Sequence, residues 1–192
     1  MRAPALAAAA TLLLTGCGST SKGIPSSLLQ QARPIGQGAA FHPPVRGHVI
    51  GSCTPALGAR QGAHVEVFAQ NRVVLLAAGI GTLPPRSSFA GRITRARCYG
   101  ALATLDPTGL VLSRPGSRLT VFDLFRSWGQ RISRRQIASF HAPLGTEVAV
   151  FVDGRRWPGV PGRVPLRRHA EIVLEVGPHV PPHASYRFPP GI

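Results

Sequence analysis

Short apolar blocks, each closed by turn residues, organise most of this chain. His64-Val-Glu-Val-Phe68 alternates, Ala69-Gln-Asn-Arg72 supplies turn residues, and Val73-Val-Leu-Leu-Ala77 is an apolar run stopped by Gly79 and Gly81. This predicts strand, turn, strand. A second pair is predicted over Ala96–Thr104 and Leu110–Leu112. Asp106-Pro-Thr-Gly109 joins it, with Pro107 at the second turn position and Gly109 at its end. In Thr120-Val-Phe-Asp-Leu-Phe-Arg-Ser-Trp-Gly129 the period changes: Val121, Leu124, Phe125 and Trp128 fall at i, i+3, i+4 and i+7. That spacing predicts one amphipathic helix, with Thr120 as N-cap, Asp123 completing a capping box and Gly129 as the stop. Glu147–Val152, ended by Asp153-Gly154, and Glu171–Val176, ended by Gly177, are two further strands.

The order hairpin, hairpin, helix, strand, strand is that of an α+β, mainly β domain, in which the helix covers one face of a mixed or antiparallel sheet. The last section, a helix followed by VFVDGRRW and VPLRRHAEIVLEVG, resembles in pattern the second half of a β-grasp domain. From Pro178 the prolines preclude a central strand and predict an extended tail on the surface.

The N-terminal pattern differs. Arg2 precedes an apolar run from Ala3 to Leu14, then Thr15, Gly16 and Cys17. A run of about 12 residues is too short to span a bilayer and suits the apolar part of a signal peptide. Leu14-Thr15-Gly16-Cys17 resembles the lipobox of bacterial lipoproteins, which implies cleavage before Cys17, a diacylglyceryl group on its thiol, and an anchor of more than one acyl chain. The expected organisation is a signal peptide over 1–16, a lipidated flexible tether over 17–47 in which Leu28, Leu29, Ile35 and Phe41 are isolated apolar residues, one domain over 48–177 and a proline-rich tail over 178–192. The expected location is the cell membrane, on its extracytoplasmic side.

Charge narrows the partners. Of 22 basic residues only Lys22 is lysine, against 7 acids; loss of residues 1–16 removes only Arg2 and leaves an excess of 14. Arginine bias of this kind reflects genome composition as readily as a binding surface. For an exported chain the nearer partners are anionic lipid, acidic wall polymer or an envelope protein, rather than nucleic acid. Arg131, Arg134, Arg135, Arg155, Arg156, Arg163, Arg167 and Arg168, with Trp157 among them, could form such a surface or simply a solvated face.

With Cys17 lipidated, Cys53 and Cys98 remain, and one disulfide is the simplest reading in an oxidising compartment, a metal pair or free thiols being the alternatives. There is no G-x-S-x-G elbow, no Cys with a partnered His, no phosphate loop and no evident pair of catalytic carboxylates, so no catalytic residue and no cofactor is expected. Of the histidines His42, His48, His64, His141, His169, His179 and His183, none stands at H-x-H spacing, and the one H-x3-H pair, His179 with His183, lies in the proline-rich tail. His64-Val-Glu66 does place two ligand types on one strand face.

The runs GAHVEVFAQNRVVLLAAGIG, RCYGALATLDPTGLVL and LTVFDLFRSWG resemble, over roughly 62–177, a group of prokaryotic exported proteins that carry H-x-H and H-T-H-D motifs. The resemblance implies a metal or cofactor site. Here Glu66 replaces the second histidine of the first motif, and Ala103-Thr104-Leu105-Asp106 stands in the second. His64, Glu66 and Asp106 are thus the remaining candidate ligands of a degenerate site. A non-catalytic binding or structural role follows, with Zn or Cu binding as its alternative. Asp106 has a second possible role as a turn residue.

Overall fold

The computed structural model describes Ile35, Gly38, Phe41, His42 and residues 48–178 and 181–192. Cys17, the expected signal peptide over 1–16 and His179 lie outside the described residues.

Strand β1 (Gln61–Ala69) runs through the middle of the main sheet. Its alternation is the reason: Ala63, Val65, Val67 and Ala69 face one core, while His64 and Glu66 face the other way. At its end Gln70 and Asn71 both take positive φ, the backbone of a tight two-residue hairpin turn. The returning strand β2 covers only Arg72–Val73, after which Val74 and Leu76 turn into the core.

The predicted Ala96–Thr104 strand is two strands in two sheets. β3 (Thr82–Phe89) and β4 (Arg92–Tyr99) form a separate two-stranded arm, and β5 (Leu102–Ala103) then pairs with β6 (Leu110–Ser113) in the main sheet. Pro84 and Pro85 hid β3, since proline cannot donate to a ladder. They are accommodated because the pairing shifts register between Leu83 and Arg86 and the strand has a neighbour on one side only.

Helix α1 (Val121–Trp128) follows the sequence reading closely. The Thr120 N–H donates to Asp123 Oδ2 at 2.9 Å, and Gly129 closes the helix at φ 74°. Its buried stripe packs on the face of β1 that carries Val65 and Val67. After α1 come the minor hairpin of β7 (Gln136–Ile137) and β8 (Phe140–His141), then β9 (Ala149–Val152), β10 (Arg155–Arg156) and β11 (Glu171–Val176).

The main sheet has the order β10-β9-β11-β1-β6-β5, with β1 and β11 parallel and the neighbouring pairs antiparallel. The segment β6-β1-β11-β9, with the helix in the crossover from β6 to β9, has the strand order of a β-grasp sheet. The likeness therefore reaches beyond the C-terminal half. β11 is buried at every position, as a strand between two neighbours and covered on both faces must be. A second apolar cluster lies on the face away from the helix, where Leu110 and Leu112 meet Ile93 and Tyr99 of the arm. Tyr186, Phe188 and Ile192 of the C-terminal tail pack against it.

One difference from the sequence reading, and one agreement, concern segments outside the sheet. Ile35 and Phe41, placed in the tether, are docked on the domain. The Ile35 N–H donates to Val73 O at 2.7 Å, and the Trp128 indole N–H donates to Phe41 O at 2.5 Å. An isolated apolar residue has no period to betray it, yet it stabilises once a core groove accepts it. Cys53 and Cys98 form a disulfide across Cα atoms 5.3 Å apart and tie the segment before β1 to the base of the arm. Beside it the buried Arg60 donates to the carbonyls of Leu57, Gly100 and Ala101 at 2.8–3.1 Å.

Candidate metal centre

The parallel pairing of β1 with β11 sets His64 opposite Glu171. The period of two along β1 adds Glu66 on the same face. The His64 Nδ1 lies 2.9 and 3.1 Å from the two oxygens of Glu171, and one ligand atom from each of His64, Glu66 and Glu171 can be chosen within 4.8 Å of the others. His64 and Glu171 are 5% and 1% exposed; Glu66 is half-buried at the rim. His64 and Glu66 line a cleft of about 300 Å³ whose wall includes Thr108, Gly109 and Tyr186, and Glu171 lies behind them.

The other ring nitrogen determines what the site can do. Nε2 lies 2.7 Å from the Thr108 carbonyl, which can only accept, so Nε2 carries a proton and donates it. A neutral His64 therefore turns the lone pair of Nδ1 towards the carboxylate of Glu171. Pinning one ring N–H on a backbone carbonyl while the other nitrogen faces the ligand sphere is the usual arrangement of a metal-binding histidine. Without a cation, a proton occupies the space between Nδ1 and Glu171. Burial alone lowers the His64 pKa, but the hydrogen bond and charge of Glu171, the Thr108 carbonyl and the charge of Glu66 outweigh it and hold the imidazole above its ordinary value. Burial likewise pushes the Glu171 carboxyl up, against the opposing pull of His64.

The turn Asp106–Gly109 is built to deliver that carbonyl. Gly109 has φ 85°, and a Cβ there would come within 2.6 Å of Val65 O and 3.0 Å of His64 Nε2, so only glycine lets the turn lie this close. From the tail, Tyr186 stacks on the His64 ring at 3.7 Å between centroids and 8° between planes, while His183 Nδ1 sits 2.7 Å from Glu66 Oε2.

Asp106 does not join the cluster. Its carboxylate takes the Arg92 guanidinium and the Thr108 hydroxyl, which hold the turn in shape. Its role is therefore that of a turn residue, although its partners are side chains. Glu171 takes the place expected of it. Sequence reasoning had identified the Glu171–Val176 strand but not its neighbour. A usable signal was present, since a glutamate heading an otherwise apolar strand is buried only with a partner. Among the other histidines, His42, His48 and His141 are exposed, and His169 stacks on Phe188 with its Nε2 2.5 Å from Ile192 O. The eight arginines named above are all exposed. Trp157 is half-buried against the main core rather than standing among them.

No protein-family model, curated protein or solved structure matches this chain. Among the described residues, no helix is long and apolar enough to cross a membrane.

Proposed function

We propose that this chain is a lipid-anchored exported binding protein whose central sheet holds a divalent transition-metal ion on His64 Nδ1, Glu66 and Glu171. One observation carries the reading: a buried imidazole whose Nε2–H is committed to a backbone carbonyl and whose Nδ1 faces both oxygens of Glu171, with Glu66 beside them on the same sheet face. The dimensions agree. Ligand atoms on a tetrahedral Zn with bonds of about 2.0 Å stand roughly 3.3 Å apart. The Nδ1 to Glu171 separation is already close to that. Glu66, the half-buried member of the three, would exchange its contact with His183 for the ion. A dication that displaces the proton between Nδ1 and Glu171 would meet the negative charges of Glu171 and Glu66. One imidazole with two carboxylates suits Zn or Cu(II) better than Ca or Mg, and the cleft leaves a further position for water or a ligand.

The anchor rests on Leu14-Thr15-Gly16-Cys17 and the apolar run before it. The disulfide is consistent with an oxidising compartment. Two measurements test the two halves of the proposal. Titration of metal-stripped protein with Zn(II) and Cu(II) should give one binding event, raising the melting temperature as a ligand of the native state does. His64→Gln and Glu171→Gln should weaken it by at least the roughly ten- to hundredfold that loss of an outer hydrogen-bond partner costs a metal site. Asp106→Asn should leave it within about threefold. No binding, or equal loss in Asp106→Asn, refutes the site. Intact mass and membrane fractionation beside Cys17→Ala test the anchor, with acyl mass and membrane partition expected of the wild type alone.

A further inference from the structure

The β3–β4 arm carries a surface that neither the core nor the metal centre uses. Between Thr82 and Tyr99 there are four arginines and no acidic residue. The inner face of the arm is accounted for: Ile93 and Ala96 are buried in the second apolar cluster, and Arg86 turns back to donate to the Thr82 hydroxyl and carbonyl at 2.7 and 2.6 Å. Strand pairing sets the outer face. Phe89 stands opposite Arg92 and Ser87 opposite Arg95, and residues paired across a ladder project to one side. Arg97 follows Arg95 along the same exposed stripe. At the tip Phe89 is 78% exposed. Arg95 and Arg97 line a shallow groove with Pro55, Pro85 and Ser87, and among the described residues neither has an acidic partner.

We propose that this face docks the domain on a bilayer rich in anionic lipid, with Arg95 and Arg97 on headgroup phosphates and Phe89 entering the boundary between headgroups and acyl chains. An apolar tip on a cationic stripe matches the order of a membrane interface, charge outside and hydrocarbon beneath. A nucleic-acid surface would need aromatics spaced to stack successive bases, and the arm exposes one, Phe89 at its tip, since Tyr99 is buried. A shape of this kind is a poor solvated face, because a large exposed aromatic at a hairpin tip has no stabilising role in the fold itself. The contact is independent of the cation site and would act beside any lipid on Cys17, as a second attachment that sets the orientation of the domain.

The test is co-sedimentation of the full chain, with Cys17→Ala so that no acyl group contributes, on vesicles of phosphatidylcholine with and without phosphatidylglycerol at about 0.15 M salt. The N-terminal segment is common to all variants, so differences between them report the arm. Arg95→Gln with Arg97→Gln is expected to weaken binding to anionic vesicles about thirtyfold, and Phe89→Ser about tenfold. Arg131→Gln with Arg135→Gln, an equal charge change on another exposed segment, should alter it less than about threefold. All are surface substitutions, and unchanged circular dichroism confirms folding. The proposal is overturned if the two arginine pairs lose binding equally, since net charge alone would then act. It is also overturned if Phe89→Ser binds as the wild type does, or if the arm variants lose retention on an anionic polymer but not on vesicles.

Discussion

Replacing Gly109 by alanine tests the coupling of turn to the proposed metal centre most directly. The residue has φ 85°, where a side chain costs about 1–2 kcal/mol of backbone strain. The added Cβ would also lie 2.6 Å from Val65 O and 3.0 Å from His64 Nε2, and the Val65 N–H to Gly109 O bond of 2.9 Å leaves the backbone little room to retreat. Relieving that overlap adds about 2 kcal/mol, for a total near 4 kcal/mol, or roughly 12 °C in melting temperature for a domain of this size. Gly116→Ala is the control. It has φ 77° with nothing within 4 Å of its Cβ, so it suffers the strain alone and should lose about 5 °C. Urea and thermal unfolding of both variants, with and without saturating Zn(II), separate the terms. Gly109→Ala should also lose most of the metal-induced shift, because the ring that carries Nδ1 is displaced, whereas Gly116→Ala should keep it. Equal destabilisation of the two variants would refute the close approach of turn to imidazole, and an undiminished metal shift in Gly109→Ala would refute its part in positioning the ring.

Three further outcomes are expected. Reduction, or Cys53→Ala with Cys98→Ala, should cost up to about 4 kcal/mol by the chain-entropy argument for a 45-residue separation, read as a drop in urea midpoint under reducing conditions. Arg60→Met should cost about 3 kcal/mol, because it strips a buried cation from three carbonyls; a loss under 1 kcal/mol in chemical denaturation would show that water replaces it. In metal-free protein the raised His64 pKa makes its stabilisation complete below about 6.5, to be lost as pH rises through the folded value. The gap in urea midpoint between wild type and His64→Gln should therefore narrow with rising pH, and a widening gap would refute the assignment.

What could be read in the sequence was whatever depends on neighbours along the chain. The stripe of Val121, Leu124, Phe125 and Trp128 with its Thr120, Asp123 and Gly129 boundaries specifies α1 almost to the residue, since capping and helical period are local. The limits of β11 were legible for the same reason, and so was the shared face of His64 and Glu66. Strand β3 was not, because prolines argue against a strand until one knows that it has a free edge. Nor was the docking of Ile35 and Phe41, whose partners Val73 and Trp128 are distant in sequence.

The candidate metal centre shows the division most clearly. Local pattern identified His64 and Glu66, and it also proposed Asp106, which lies on the right turn but turns its carboxylate to Arg92 and Thr108. The third candidate ligand, Glu171, is 107 residues from His64. It arrives there only because β11 runs parallel beside β1 in this register. Alternation along a strand says which side chains share a face, and it is silent on which strand lies next to it. That choice is made by burial of both faces of β11 between β1 and β9, a property of the assembled sheet rather than of any segment.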